Sequence, residues 1–121
     1  MRVELSKTYA FEAAHRLPMV PPDHKCFRLH GHSFRIDVCV TGDVDERVGW
    51  LLDFGEITAV VQPILMSELD HLTLNDVPGL ENPTSERVCQ WLWNRLRPAL
   101  PGLSAITVHE TCAARCTYRG S

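Results

Sequence analysis

The segment Cys26-Phe27-Arg28-Leu29-His30-Gly31-His32 concentrates one thiol and two imidazoles in a short stretch. His30 and His32 are two residues apart, so on an extended backbone both rings project from the same face. Gly31 between them has no side chain and leaves room for a ligand or another backbone to approach. A His-x-His pair on a strand is a natural pair of metal ligands, and neutral imidazole suits zinc. Two ligands do not hold a metal tightly, so the chain must supply at least one more. His15, at the end of an alternating segment, is the candidate third ligand. Three histidines with one open position form the arrangement of a catalytic zinc, whereas structural zinc normally has four protein ligands. The competing explanation is a strand-end His15 and a hydrogen-bonded core pair, and spacing alone does not choose between them.

Three further groups could do chemistry. Cys26 lies four residues before His30 and could be a fourth zinc ligand, a reactive thiolate or a buried apolar thiol. Its neighbours Lys25 and Arg28 are cationic, and cations favour thiolates. Asp70-His71 sets a carboxylate beside an imidazole, the usual base partner of a catalytic thiol. The same pair also suits a solvated helix C-terminus. Glu110 continues the row of Ile106 and Val108, so its carboxylate faces inward and needs a partner. That partner is either an arginine of the protein or a ligand with adjacent N–H donors. A zinc hydrolase is the generic reading of three histidines and an open site. The chain has no H-E-x-x-H and no glutamate obviously placed as the base for a water, which weakens that reading.

Several elements must position these groups. Val3, Leu5, Tyr9 and Phe11 share one parity and predict a first strand that leads to His15. A loop rich in proline and charge, Pro18 to Lys25, follows and can fold over a site at a sheet edge. Phe34, Ile36, Val38 and Val40 extend the parity of His30 and His32 into a second, longer strand that turns at Thr41-Gly42-Asp43. Gly49 to Leu52 reads as a short strand. A helix follows from Asp53, which resembles a capping box with Glu56, to about Leu69, and Pro63 should kink it. A second helix starts at Thr84 or Ser85, buries Val88, Trp91, Leu92 and Leu96, and stops at Pro98. Ile106 to Glu110 predicts a third long strand and Ala114 to Arg119 a final one.

Composition bounds the class of protein. A chain of 121 residues favours a single domain, 1–121, large enough for a genuine core. Apolar content of 45% and charged content of 22% are those of an ordinary soluble protein. A net charge of −3 argues against nucleic acid or an anionic membrane as the main partner. It leaves room for a small anionic substrate in a locally basic pocket. Five cysteines without a C-x-x-C pair read as reduced thiols in a cytoplasmic chain. The early charges of Arg2 and Glu4 do not suit a signal peptide, and no apolar run approaches the length that spans a bilayer.

Taken together, Phe11-Glu12-Ala13-Ala14-His15, Cys26-x-x-x-His30-Gly31-His32 and Leu69-Asp70-His71-x-x-Leu74-Asn75 resemble motifs of the 6-pyruvoyl-tetrahydropterin synthase family. Asn82-Pro83-Thr84-Ser85-Glu86 and His109-Glu110-Thr111 do so as well, in the family's order. The resemblance implies an α+β T-fold, an antiparallel sheet with two helices on one face. It also implies subunits forming a barrel, as a homohexamer built from two trimers, with active sites between subunits. The three-residue gap between Cys26 and His30, and Ser33 after the second motif histidine, are similar to the carboxy-forming branch of queuosine biosynthesis. That branch converts 7,8-dihydroneopterin triphosphate to 6-carboxy-5,6,7,8-tetrahydropterin, acetaldehyde and triphosphate. Carried over by position, the resemblance implies that His15, His30 and His32 hold zinc and that Cys26 is the general base. Asp70 and His71 would tune that base, and Glu110 would anchor the pterin. Lys25 and Arg28 are candidate triphosphate contacts from their charge alone. The alternatives are the pyruvoyl-forming sister activity and a catalytically silent zinc-binding assembly module.

Overall fold

The computed structural model describes all of residues 1–121. Strand β1 (Arg2–His15) and strand β2 (His30–Asp43) form a long antiparallel pair with fourteen partnered residues. The pairing runs without interruption from Arg2 opposite Asp43 to His15 opposite His30. Helix α1 (Phe54–Glu68), strand β3 (Leu72–Thr73), helix α2 (Ser85–Leu96) and strands β4 (Leu103–His109) and β5 (Arg115–Tyr118) complete the chain. The strand order is β3-β1-β2-β4-β5. All neighbours are antiparallel except β3, which runs parallel to β1.

Strict alternation decides which face is covered. Tyr9, Phe11 and Ala13 of β1 and Phe34, Ile36, Val38 and Val40 of β2 are buried. They join Ile57, Val61 and Leu65 of α1 and Val88, Cys89, Leu92 and Leu96 of α2 in a single core. Both helices therefore lie on one face of the sheet. The opposite face is polar: the Thr8 hydroxyl donates to Asp37 at 2.6 Å, and Asp37 meets Nε2 of the buried His109 at 2.7 Å.

Local chemistry sets the helix starts. The Asp53 carboxylate accepts the Gly55 N–H at 2.9 Å, and the Thr84 hydroxyl accepts the Arg87 N–H at 3.2 Å. Helix α1 runs through Pro63 without a break. Pro63 and the preceding turn at Ala59 are exposed, so water can satisfy the carbonyl that a proline N–H would have bonded.

Two expectations change. Gly49–Leu52 is not a strand. The Asp45 carboxylate accepts the Arg47 N–H at 2.9 Å and folds the segment into a turn, leaving one isolated bridge between Asp45 and Trp50. Trp91 is only half-buried, with its indole N–H donating to the Pro78 carbonyl at 3.1 Å. Cys89 occupies the fully buried position instead, and burial pushes its thiol up to about 12. Strand β3, too short to show a pattern in the sequence, docks on β1 at Ala13 and Ala14.

Candidate metal centre

The β1–β2 alignment places His15 directly opposite His30 and Ala13 opposite His32. All three imidazoles emerge at the end of the covered face. Their ring centroids are 4.6 Å (His15–His30), 5.1 Å (His15–His32) and 4.9 Å (His30–His32) apart. The rings meet edge-on, with interplanar angles from 63° to 90°, so they surround a common point rather than stack. Phe34 forms the floor beneath them, 5.5 Å from His15 and 5.4 Å from His32, and stacks on Phe11 at 5.1 Å.

Backbone carbonyls set the orientation of two rings. Nδ1 of His15 donates to the Pro83 carbonyl at 2.8 Å, and Nδ1 of His30 donates to the Arg28 carbonyl at 2.7 Å. A carbonyl only accepts, so both Nδ1 atoms carry the proton and both Nε2 atoms present lone pairs. Such outer hydrogen bonds are what fix metal-binding histidines. His15 is 1% exposed, and burial pushes both His15 and His32 below the usual imidazole range, which keeps them in the neutral, ligating form. Nε2 of His15 and Nε2 of His32 are buried without a hydrogen-bond partner. Orphaned buried nitrogens are costly unless something occupies the space between them, and a metal ion is the group this donor set fits.

Glu110, just past the end of β4, enters the same group. Its Oε1 lies 3.1 Å from His32 Nε2 and 3.5 Å from His15 Nε2, and its Oε2 accepts the Ser85 hydroxyl at 2.6 Å. One ligand atom from each of His15, His30, His32 and Glu110 falls within 4.8 Å of every other. Glu110 thus faces inward, as alternation along Ile106 and Val108 indicates, but its partners are histidines and a serine rather than an arginine.

Cys26 stands beside this group and not in it. The loop after β1 is pinned by the Leu17 N–H donating to the Cys26 carbonyl at 2.8 Å, and by Arg16 lying over the Phe27 ring at 4.8 Å. A short 3₁₀ turn, Lys25–Phe27, then presents the half-buried thiol. Cys26 lines a cavity of about 410 Å³ with Lys25, His30, His32, Glu110 and Thr111. Arg28 contributes its carbonyl to His30, and its side chain is not among the residues lining that cavity.

Asp70 and His71 do touch: His71 Nδ1 lies 2.7 Å from Asp70 Oδ2. The dipeptide clamps the edge of β1, because Asp70 Oδ1 accepts the Glu12 N–H at 2.9 Å and the His71 N–H donates to the Glu12 carbonyl at 2.6 Å. His71 adopts φ 60°, which turns the chain from α1 into β3. The Glu12 N–H, together with His71, holds the Asp70 carboxyl below its usual range, and Asp70 in turn raises His71. His71 borders a cleft of about 430 Å³ with Glu12, Ala14, Gly31, His32 and Ser33, which adjoins the cavity of Cys26 at Gly31 and His32. The ring of His71 is hydrogen-bonded to Asp70 and not to the thiol of Cys26.

Sequence reasoning missed the roles of Ser85 and of the Pro83 and Arg28 carbonyls. Asn82-Pro83-Thr84-Ser85 was visible as a motif, but a carbonyl contact across 68 residues has no local signal.

A mostly antiparallel five-stranded sheet with two helices on one face, carrying a His₃Glu group able to hold a metal, is a T-fold protein. The 6-pyruvoyl tetrahydropterin synthase family model matches residues 4–121, and the chain belongs to that family. It is 43% identical over 117 residues to the 6-carboxy-5,6,7,8-tetrahydropterin synthase of Synechocystis sp., covering 93% of this chain and 89% of that protein. It is 33% identical to the dihydroneopterin monophosphate aldolase of Pyrococcus furiosus, covering 84% and 82%. The 6-pyruvoyl tetrahydropterin synthase structure from Caenorhabditis elegans superposes with a TM-score of 0.91 at 27% identity, covering 100% of this chain and 97% of that one.

Proposed function

We propose that this protein is a zinc-dependent 6-carboxy-5,6,7,8-tetrahydropterin synthase. It is a lyase that converts 7,8-dihydroneopterin triphosphate to the carboxypterin, acetaldehyde and triphosphate in queuosine biosynthesis. The observation that carries the reading is the cavity lined jointly by Cys26, His30, His32 and Glu110. The 43% identity to a relative of that name supports the choice of product.

The roles follow from the chemistry of each group. His15, His30 and His32 hold zinc, which supplies Lewis acidity toward an oxygen of the substrate side chain. Cys26, as thiolate, takes a proton from the side chain and returns it, the task of a general base. His71, oriented and made more basic by Asp70, tunes that transfer. The Glu110 carboxylate accepts the paired N–H groups of the pterin edge. Lys25, which also lines the cavity, contributes positive charge for the triphosphate.

Because Cys26 and His71 of one chain are not hydrogen-bonded, the reading has the site completed between subunits of a cytoplasmic homohexamer, a dimer of trimers. Two open sheet edges support that assembly: β1 pairs with β3 only at Ala13 and Ala14, and β5 has one neighbour. No helix is long and apolar enough to cross a membrane.

The test is incubation of the purified, zinc-loaded protein with 7,8-dihydroneopterin triphosphate and mass spectrometry of the products. Acetaldehyde and the carboxypterin in equal amounts are expected. Triphosphate release without acetaldehyde would assign the pyruvoyl-forming activity instead. No turnover would leave a metal-binding assembly module.

A further inference from the structure

We propose that Arg35 is a phosphate-binding residue, aimed by the buried pair His109 and Asp37, and that it grips the polyphosphate tail of the substrate. The inference rests on reading that substrate as a pterin triphosphate.

Arg35 and Asp37 alternate with the buried Phe34, Ile36 and Val38, so both stand on the polar face of the sheet. His109 of β4 lies directly opposite Arg35 on that face. The Asp37 carboxylate accepts the Thr8 hydroxyl at 2.6 Å through Oδ1 and meets His109 Nε2 at 2.7 Å through Oδ2. An ionised carboxylate only accepts, so Nε2 carries the imidazole proton. Nδ1 then offers a lone pair, and the Arg35 guanidinium donates to it at 3.3 Å. The two ends of the imidazole agree, because a guanidinium only donates.

This arrangement holds a cation without neutralising it. His109 is 5% exposed whereas Arg35 is exposed, so a fixed buried ring orients a solvent-facing guanidinium. The bond to neutral His109 occupies one of five N–H donors, and Asp37 is already engaged by Thr8 and His109. Arg115, opposite His109 in the β4–β5 register, adds a second cation on the same face. An oriented guanidinium with a free fork suits bidentate recognition of a phosphate.

The space before Arg35 continues into the proposed site. Arg35 and His109 line a cavity of about 470 Å³ that adjoins the cavity of Cys26 and Lys25 at Glu110 and Thr111. Thr111 Oγ1 accepts the Ala113 and Ala114 N–H groups at 3.3 and 3.1 Å. Both its lone pairs are used, which leaves its proton for an acceptor outside the chain. Glu110, the acid at this junction, directs Oε2 to Ser85 and Oε1 to the histidines. A row of phosphates passing from one cavity to the other meets Lys25, then the Thr111 hydroxyl, then Arg35. His109 acts through Arg35 and is a positioning residue.

Inorganic tripolyphosphate reads this without turnover. Calorimetric titration of the metal-loaded protein should show binding that Arg35→Met, a change at an exposed position, weakens by about 10–100-fold. Any contact between the probe and the metal is common to both proteins and cancels in that ratio. Arg35→Lys keeps the charge but loses the fork, and should recover only part of the affinity. His109→Phe keeps a ring and removes the acceptor, so it should weaken the probe in the wild type and not in Arg35→Met. With the pterin triphosphate, Arg35→Met should raise KM more than it lowers kcat. Equal tripolyphosphate affinity in wild type and Arg35→Met would overturn the proposal, as would an unchanged KM or a His109→Phe loss that persists in Arg35→Met. Weaker tripolyphosphate binding by Arg35→Met, with no product from either protein, would retain the phosphate contact and reject the proposed reaction.

Discussion

Replacing Cys26 with alanine separates chemistry from architecture. The backbone at this position is held by the Leu17 N–H on its carbonyl and by its own N–H on His24 Nδ1 at 3.1 Å, and alanine preserves both bonds. The thiol is half-buried and lies outside the core, so its loss should cost the fold under about 1 kcal/mol, roughly one buried methylene. It is not one of the convergent metal donors, so metal content per chain should not change. A general base contributes about 10²–10⁴ to the rate, which corresponds to about 2.7–5.4 kcal/mol in the activation barrier. The activity effect should thus exceed the stability effect several-fold. Acetaldehyde release at saturating substrate, metal analysis of the dialysed protein and a thermal melt measure the three quantities on one preparation. A rate loss below about 10-fold, or a large loss accompanied by release of the metal, would refute the assignment of Cys26 as the base.

Two other perturbations probe the surroundings. Asp70 is depressed and His71 raised, so the Asp70 contribution is lost as pH falls through its folded value and the His71 contribution as pH rises through its own. The charged pair therefore persists in the window between them, and Asp70→Asn should return the His71 titration, followed by NMR of its ring protons, toward the ordinary value of 6.5. An unchanged titration would show that Asp70 does not set the basicity of His71. Phe34→Ala removes a fully buried ring that touches Phe11, His15 and His32, and should cost about 3–5 kcal/mol, or about 10–20 °C in Tm, with weaker metal retention. A Tm change of under about 3 °C would mean that the ring is not the floor of the site.

Much of this arrangement was legible because strands alternate with a period of two. The parity of Phe34, Ile36 and Val38 already turned His30 and His32 inward, and the parity of Ile106 and Val108 did the same for Glu110. Such reasoning stops where contacts depend on distant segments. Whether Asp70 and His71 meet is decided by a left-handed turn at His71, a conformation that no local pattern announces for a histidine. Ser85 read only as a helix start, because its partner lies 25 residues later, just past the end of β4. Gly49 to Leu52 failed for the opposite reason: a local carboxylate–backbone bond at Asp45 outcompeted the apolar residues' preference for a strand.

The unbroken alignment of β1 with β2 has a consequence for how the chain reaches its native form. A slip of a single residue between these strands would send His15 to the opposite side from His30 and His32, together with every core residue of one strand. Such a misthreaded hairpin can present two imidazoles to an ion but never three. Any metal available while the chain folds would therefore select the properly threaded hairpin, so that the cation proofreads the threading of the chain's longest strand pair.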